Sequence, residues 1–294
     1  MKLTSTKIRT LLGIAAASVC LISATGQQAS AGQLHNGWNY GIDAFGDGSG
    51  GASYDIKGIA IKETDDSIFV ALTGGTPLTG VAENGAADKN IGWGDLFFNF
   101  SGTNFQTASS TNSLFGIRFA GTNDSNAATT GVYKNVSAMS VTGVNNGYSS
   151  LNQYYNSGFD KANTLGTDMA TKQAAYNYFG QTTPILNVIG SGTKVGDITM
   201  LTSSALTAAG LNFGHFGAAG TQTIGFQLSR SLLDSGDFLA NVFVECGNDG
   251  VALAGNLTSV PEPSSMIGLA LVGLSAAGSM LRKRRSVSEN IVES

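Results

Sequence analysis

Charge is scarce in this 294-residue chain: Asp, Glu, Lys and Arg together make 12% of it, about half of the ~25% usual for a soluble domain. Proline is rarer still, at 4 residues, and there are only 2 cysteines and 2 histidines. Each shortage excludes something. Between Gly32 and Pro263 nine Lys and Arg face eighteen Asp and Glu, so this stretch carries −9 and lacks the cationic footprint of a nucleic-acid or anionic-lipid binder. Two cysteines, one of them Cys20 near the N-terminus, build no disulfide framework. Paired-Cys and His-Glu-x-x-His spacings are absent, as is a Gly-x-Ser-x-Gly nucleophile elbow. The 40 glycines follow no Gly-X-Y period, which excludes collagen. Gly, Ser, Thr and Asn fill the place of charge around an ordinary 42% apolar fraction.

Both ends read as addresses. Lys2, Lys7 and Arg9 precede an apolar stretch from Leu11 to Ile22, and Ala29-Ser30-Ala31 places small residues at −3 and −1. This is the layout of a secretory signal peptide over residues 1–31, cleaved before Gly32. At the other end Val260-Pro261-Glu262-Pro263 leads into Met266–Leu281, sixteen residues without a charge, and then Arg282-Lys283-Arg284-Arg285. As a helix that run is ~24 Å long, marginal for a ~30 Å bilayer core. The basic cluster stays cytoplasmic by the positive-inside rule, which puts the body on the far side. Residues 286–294 form a short cytoplasmic tail. The expected course is export, a transient inner-membrane tether by the C-terminal transmembrane helix, then the cell surface or extracellular matrix.

The intervening body, residues 32–259, has no Pro-rich or charged linker and reads as one domain. Period-two runs dominate. Leu96, Phe98 and Phe100 share one strand face; so do Phe115, Ile117 and Phe119; Ile224, Phe226 and Leu228; and Phe238, Ala240, Val242 and Val244. Ile68–Leu72 is apolar on both faces, as in a central strand. Around Gly58 the phase slips between Tyr54/Ile56 and Ile59/Ile61, which predicts a bulge. Further strands are expected within 131–142 and 184–200, with short helices over 167–179 and 203–209. Phe100-Ser-Gly-Thr-Asn104 recurs as Phe119-Ala-Gly-Thr-Asn123, expected as similar turns ending two adjacent strands. The fold class is all-β, a single antiparallel β-sandwich of jelly-roll type with one or two short helices.

Pro261-Glu262-Pro263, the short apolar run and the Arg cluster together resemble a PEP-CTERM sorting signal over residues 260–285. The resemblance implies recognition by an exosortase, a membrane-embedded cysteine protease of bacteria that make exopolysaccharide, with cutting near the Pro-Glu-Pro. The nine residues after Arg285 depart from the pattern, since such signals usually stop soon after the arginines. The body is similar to cyanobacterial exosortase-dependent surface proteins over Ile91–Phe100 and Glu245-Cys246-Gly247-Asn248-Asp249. That likeness implies sorting and a surface location and brings no catalytic residues.

Chemistry is fainter. Gly46-Asp47-Gly48-Ser49-Gly50-Gly51 has the Gly-x-Gly-x-x-Gly spacing, but a strand follows it where a nucleotide loop needs a helix. No cofactor is implied, apart from calcium: Asp43, Asp47 and Asp55 offer the hard oxygen ligands that this ion takes. For glycans the rings of Trp38, Tyr40, Trp93, Tyr148, Tyr154 and Tyr155 are candidates, chiefly Trp38, Tyr154 and Tyr155, with Trp93 placed in the core by the apolar strand that follows it. Glu63, Glu83 and Glu245 are acids that the sequence does not pair into a glycosidase. Cys246 is read as a strand-end thiol, half-buried and inert, with disulfide dimerisation the alternative. His215 is read as a loop residue. The expected function is a non-catalytic exported surface or matrix protein, processed by an exosortase, contacting exopolysaccharide, envelope glycans or copies of itself, and not nucleic acid. The alternative is a secreted carbohydrate-binding or glycoside-cleaving protein on a jelly-roll scaffold.

Overall fold

The computed structural model describes residues 32–162, 169 and 171–259; the signal peptide, the Pro-Glu-Pro segment, the apolar run 266–281 and the basic cluster lie outside them. The first strands are β1 (Gln33–His35), β2 (Trp38–Ile42), β3 (Ile56–Glu63), β4 (Ser67–Gly74), β5 (Val81–Ala82), β6 (Asn90–Ile91) and β7 (Leu96–Asn99). Then come β8 (Leu114–Arg118), β9 (Gly131–Met139), β10 (Val188–Gly196), β11 (Thr199–Leu201), β12 (Gln222–Ser229), β13 (Gly236–Phe243) and β14 (Gly250–Leu257). Short helices α1 (Phe105–Ser110), α2 (Leu151–Tyr154), α3 (Lys172–Phe179) and α4 (Ser203–Ala208) sit between them.

The strands form two six-stranded antiparallel sheets, ordered β1-β2-β3-β4-β12-β11 and β10-β9-β8-β7-β13-β14, with β5 and β6 as a separate pair. The largest hydrophobic cluster draws on both sheets: Ile59, Ile61, Val70, Leu72 and Phe226 from the first, Leu96, Phe98, Ile117, Val132, Val242 and Leu253 from the second. The alternation read from sequence is the inward face of these strands. Ile56 joins Ile59 and Ile61 in that cluster because the β3–β4 register shifts between Ile56 and Gly58, which re-aims the side chain as a bulge does.

Both outer faces are also partly covered. Trp38, Tyr40, Ala60 and Ala71 pack under Leu206 of α4 and Phe213, while Phe97, Leu114, Tyr133 and Phe243 pack under α1 and α3 through Phe105, Ala108, Tyr178 and Phe179. Ile68–Leu72 is therefore apolar on both sides, and β4 lies between β3 and β12. At one corner the sheets touch backbone to backbone, with β14 against β2 and β3. A Cβ on Gly41 would stand 2.7 Å from the Ala252 carbonyl, so only glycine permits this approach.

Three expectations change in detail. α3 begins at Lys172 rather than 167, although 163–168 are not described. β1, β2, β14, α1 and α2 were not foreseen. The echo Phe100–Asn104 and Phe119–Asn123 does end neighbouring strands, but β7 and β8 are antiparallel, so the two turns lie at opposite ends of the pair. Their asparagines differ accordingly: Asn104 caps α1 through Thr107, and Asn123 donates to Asp95.

Phe98 is fully buried and packs 5.1 Å from Phe238, centroid to centroid. Phe98→Ala should cost about 3–5 kcal/mol in urea denaturation, whereas Leu34→Ala, at a position 81% exposed, should stay within about 0.5 kcal/mol of wild type.

Candidate functional site

The segment after β2 must leave the sheet and return to start β3, and its backbone is too irregular to satisfy itself. Acids do that work. Asp55 Oδ1 accepts the amides of Gly46 and Gly48 at 3.0 and 3.4 Å, and its Oδ2 pairs with Lys57 at 2.6 Å. Asp43 Oδ1 accepts the Ala44 amide at 2.8 Å. The β13–β14 turn meets this loop: Ser49 N donates to the Asn248 carbonyl at 3.0 Å and Asn248 Nδ2 to the Ser49 carbonyl at 2.9 Å. Gly247, at φ 63°, occupies the left-handed region that the tight turn requires. Next to it, Asp249 accepts the Ile56 amide at 2.6 Å and the Gly250 amide at 2.7 Å.

The result is a buried trio. Carboxylate oxygens of Asp43, Asp47 and Asp249 lie within 4.8 Å of one another, and all three residues are buried. At an effective dielectric of 20, two full charges at that distance repel by about 3.5 kcal/mol. Burial, and then the neighbouring Asp47, hold the Asp249 carboxyl well above the usual carboxylate range. Lys57 is committed to Asp55. Three carboxylate oxygens gathered this closely are the kind of hard donor set that calcium takes. Asp43 and Asp47 were expected in such a set. Asp55 is not brought into it; Asp249 takes its place. Asp249 escaped sequence reasoning because it lies about two hundred residues on, and its only signal was the Cys-Gly-Asn-Asp segment already singled out as a likeness.

A cavity of about 270 Å³ opens beside the trio, lined among others by Asp43, Asp47, Asp249, Tyr154, Tyr155 and Lys172. The aromatic candidates separate here. Trp38 is fully buried, with its indole donating to the Ala209 carbonyl at 2.9 Å; it is a core residue and offers no face to a sugar. Tyr40 and Trp93 are likewise fully buried. Tyr154 is buried too, and its hydroxyl donates to the Asp47 carbonyl at 2.7 Å, so it props the acidic loop instead of stacking on ligand. Tyr155 remains: half-buried on the cavity wall, with Tyr176 5.6 Å away edge-on.

The remaining acids stand in separate clusters. Glu245 accepts the Gly92 amide at 2.6 Å through one oxygen and the Asp124 amide at 2.6 Å through the other. Asp95 accepts from Asn123 at 2.8 Å and from the Ile189 amide at 2.7 Å. Glu83 accepts the Gly85 amide, and Glu63 pairs with Arg230. Cys246 is fully buried rather than half-buried, out of reach of a second chain, and burial pushes its thiol up to about 12. His35 and His215 stack face to face at 3.9 Å, a pairing that nothing in their sequence positions announced.

At the C-terminus the deciding observation is in the chain itself. Residues 259–285 match the PEP-CTERM protein-sorting motif. The motif marks an exported protein that is sorted and processed through an exosortase. It starts one residue after Thr258, where β14 has just ended. No curated protein and no solved structure matches the chain. Among the described residues, no helix is long and apolar enough to cross a membrane.

Burial raises the Glu245 carboxyl to about 7 from the ordinary 4.5. The folded state therefore keeps a proton that the unfolded chain releases. The contribution of Glu245 to stability is greatest below pH 4.5 and falls by roughly 3 kcal/mol as pH rises to about 7. In Glu245→Gln that part of the slope should vanish, as read by urea midpoints at pH 4.5 and 7.5.

Proposed function

We propose that this protein is a non-catalytic component of the cell surface or extracellular matrix, released from a transient membrane tether by an exosortase and held among exopolysaccharide or envelope glycans. The observation that carries the reading is the sorting motif at residues 259–285, which begins just after β14 ends at Leu257. Several features support the matrix role. The body is a two-sheet globule, read as a β-sandwich, with little surface charge and many neutral hydrogen-bonding groups, suited to weak multivalent contact with glycans or with its own copies. Outside the Asp43/Asp47/Asp249 trio, Glu245 and Asp95 each accept backbone amides in separate places, an arrangement that serves rigidity. The likeness of Ile91–Phe100 and Glu245–Asp249 to cyanobacterial exosortase-dependent surface proteins points the same way.

Mass spectrometry of protein recovered from fractionated producer cells tests this. The expected species begins at Gly32, ends near Pro261–Pro263 ahead of Met266, and sits in the surface or matrix fraction. A chain intact through Ser294 in the inner membrane would overturn the reading.

The cavity favours a second reading, a carbohydrate-binding body, because Tyr155 presents a ring beside acidic acceptors. Retention on the producer's polysaccharide that falls in Tyr155→Ala would support it over non-specific matrix trapping.

The carboxylate trio is read as a calcium site that ties the β2–β3 loop to the β13–β14 turn. At the 10⁻⁴–10⁻³ M affinities of extracellular modules, about 10 mM Ca²⁺ should add roughly 1.5–3 kcal/mol, a melting-temperature rise of several degrees. Asp47→Asn and Asp249→Asn should each abolish the rise. No rise in the wild-type protein would dismiss the site.

A further inference from the structure

Arg230 carries a guanidinium inside the protein, 2% exposed, and its partners are specific. Its Nε donates to Glu63 Oε1 at 2.5 Å, its Nη1 to the Leu233 carbonyl at 2.9 Å and its Nη2 to Ser235 Oγ at 3.1 Å. Nη2 also donates to the carbonyl of Thr258. The same carbonyl accepts Ser235 Oγ at 3.1 Å. The Thr258 amide donates to Glu63 at 3.0 and 3.2 Å, and the Thr258 hydroxyl to Glu63 Oε1 at 3.0 Å. All three polar groups of one exposed residue are thus held by a largely buried ion pair. That residue is the last before the sorting motif.

Strand pairing does not account for this. β14 ends at Leu257, opposite Gly236, and a chain leaving a sheet edge normally frays at once. Here the chain is held one residue longer, by Glu63 from the end of β3 and Arg230 from the turn after β12. A tug on Ser259 is resisted by bonds whose rupture would leave Arg230 buried without its full set of partners, which is costly.

Chain length makes the hold matter. From Thr258 to Pro261 is three residues, at most ~11 Å, and from Thr258 to Met266 eight residues, at most ~29 Å. A protease acting at the Pro-Glu-Pro must therefore work within that reach of Thr258. We propose that Glu63 and Arg230 are positioning residues for the sorting reaction: by locking Thr258 they fix the point on the body from which the Pro261-Glu262-Pro263 segment is presented to the exosortase. The proposal rests on the sorting reading and adds to it the element of the body that governs presentation.

The test uses full-length chains in the producing cells, scored by processed fraction after a pulse and by C-terminal mass. Deleting Ser259 and Val260, the first two of the matched residues 259–285, leaves the Pro-Glu-Pro and everything after it intact but brings it two residues closer to Thr258. With the clamp in place, that deletion should slow processing about tenfold, and adding E63Q/R230M, which removes both charges together, should restore it to within about twofold of the undeleted chain. T258P, which leaves the ion pair and removes the clamped N–H and hydroxyl, should restore it likewise, so the result does not hang on one variant folding. A purely structural role for the pair predicts no such rescue. Unchanged processing of the shortened chain, or failure of both clamp variants to rescue it, would overturn the proposal. An undeleted chain left uncut in the same cells would overturn the sorting reading as well, and the parent sample distinguishes that case.

Discussion

The structure depends on buried carboxylates acting as acceptors for backbone amides. Two sheets covered on their outer faces leave irregular connections inside the protein, and an interior N–H without a partner costs about as much as a lost hydrogen bond. In this chain several of the missing acceptors are acids. Asp249 serves Ile56 and Gly250, Glu245 serves Gly92 and Asp124, and Asp95 serves Ile189. A chain that is only 12% charged thus places several of its charges where charge is hardest to keep. The positions are alike in one respect: each joins segments distant in sequence, as with Asp249 and Ile56, 193 residues apart.

That is also why the fold was more legible than the site. A strand's inward face repeats every two residues, so Leu96/Phe98, Phe115/Ile117 and Ile224/Phe226/Leu228 declare themselves locally. β14 does not, because Gly-Val-Ala-Leu-Ala-Gly-Asn-Leu is apolar but small on both faces; it is a strand because β13 pairs with it along its whole length. Tertiary pairing decides it, not propensity. The sorting motif was legible for the same reason as the strands, being contiguous.

The acid clusters have no local period at all. The sequence places Asp43, Asp47 and Asp55 in one loop, but Asp55 faces Lys57 and two loop amides, while Asp249 reaches the site because the β13–β14 turn docks on that loop. Trp38 and Tyr154 failed as ligand contacts for a related reason. Trp38 meets Phe69 and the Ala209 carbonyl far along the chain, while the Tyr154 ring packs among Tyr148, Tyr155 and Phe159 and its hydroxyl reaches the distant Asp47 carbonyl.

Using acids as interior acceptors couples the body to its surroundings. A carboxyl whose pKa is raised by burial is a proton site that folding creates, so the native state gains in mildly acid conditions and loses toward neutrality. Glu245 is such a site, with Asp124 and Asp88 adding to the effect of burial. At the trio the neighbouring Asp47 adds to burial in raising Asp249, so the contact between the β2–β3 loop and the β13–β14 turn depends on how crowded negative charge is relieved there. On the calcium reading proposed above, a divalent cation would take those oxygens and its binding free energy would add to folding.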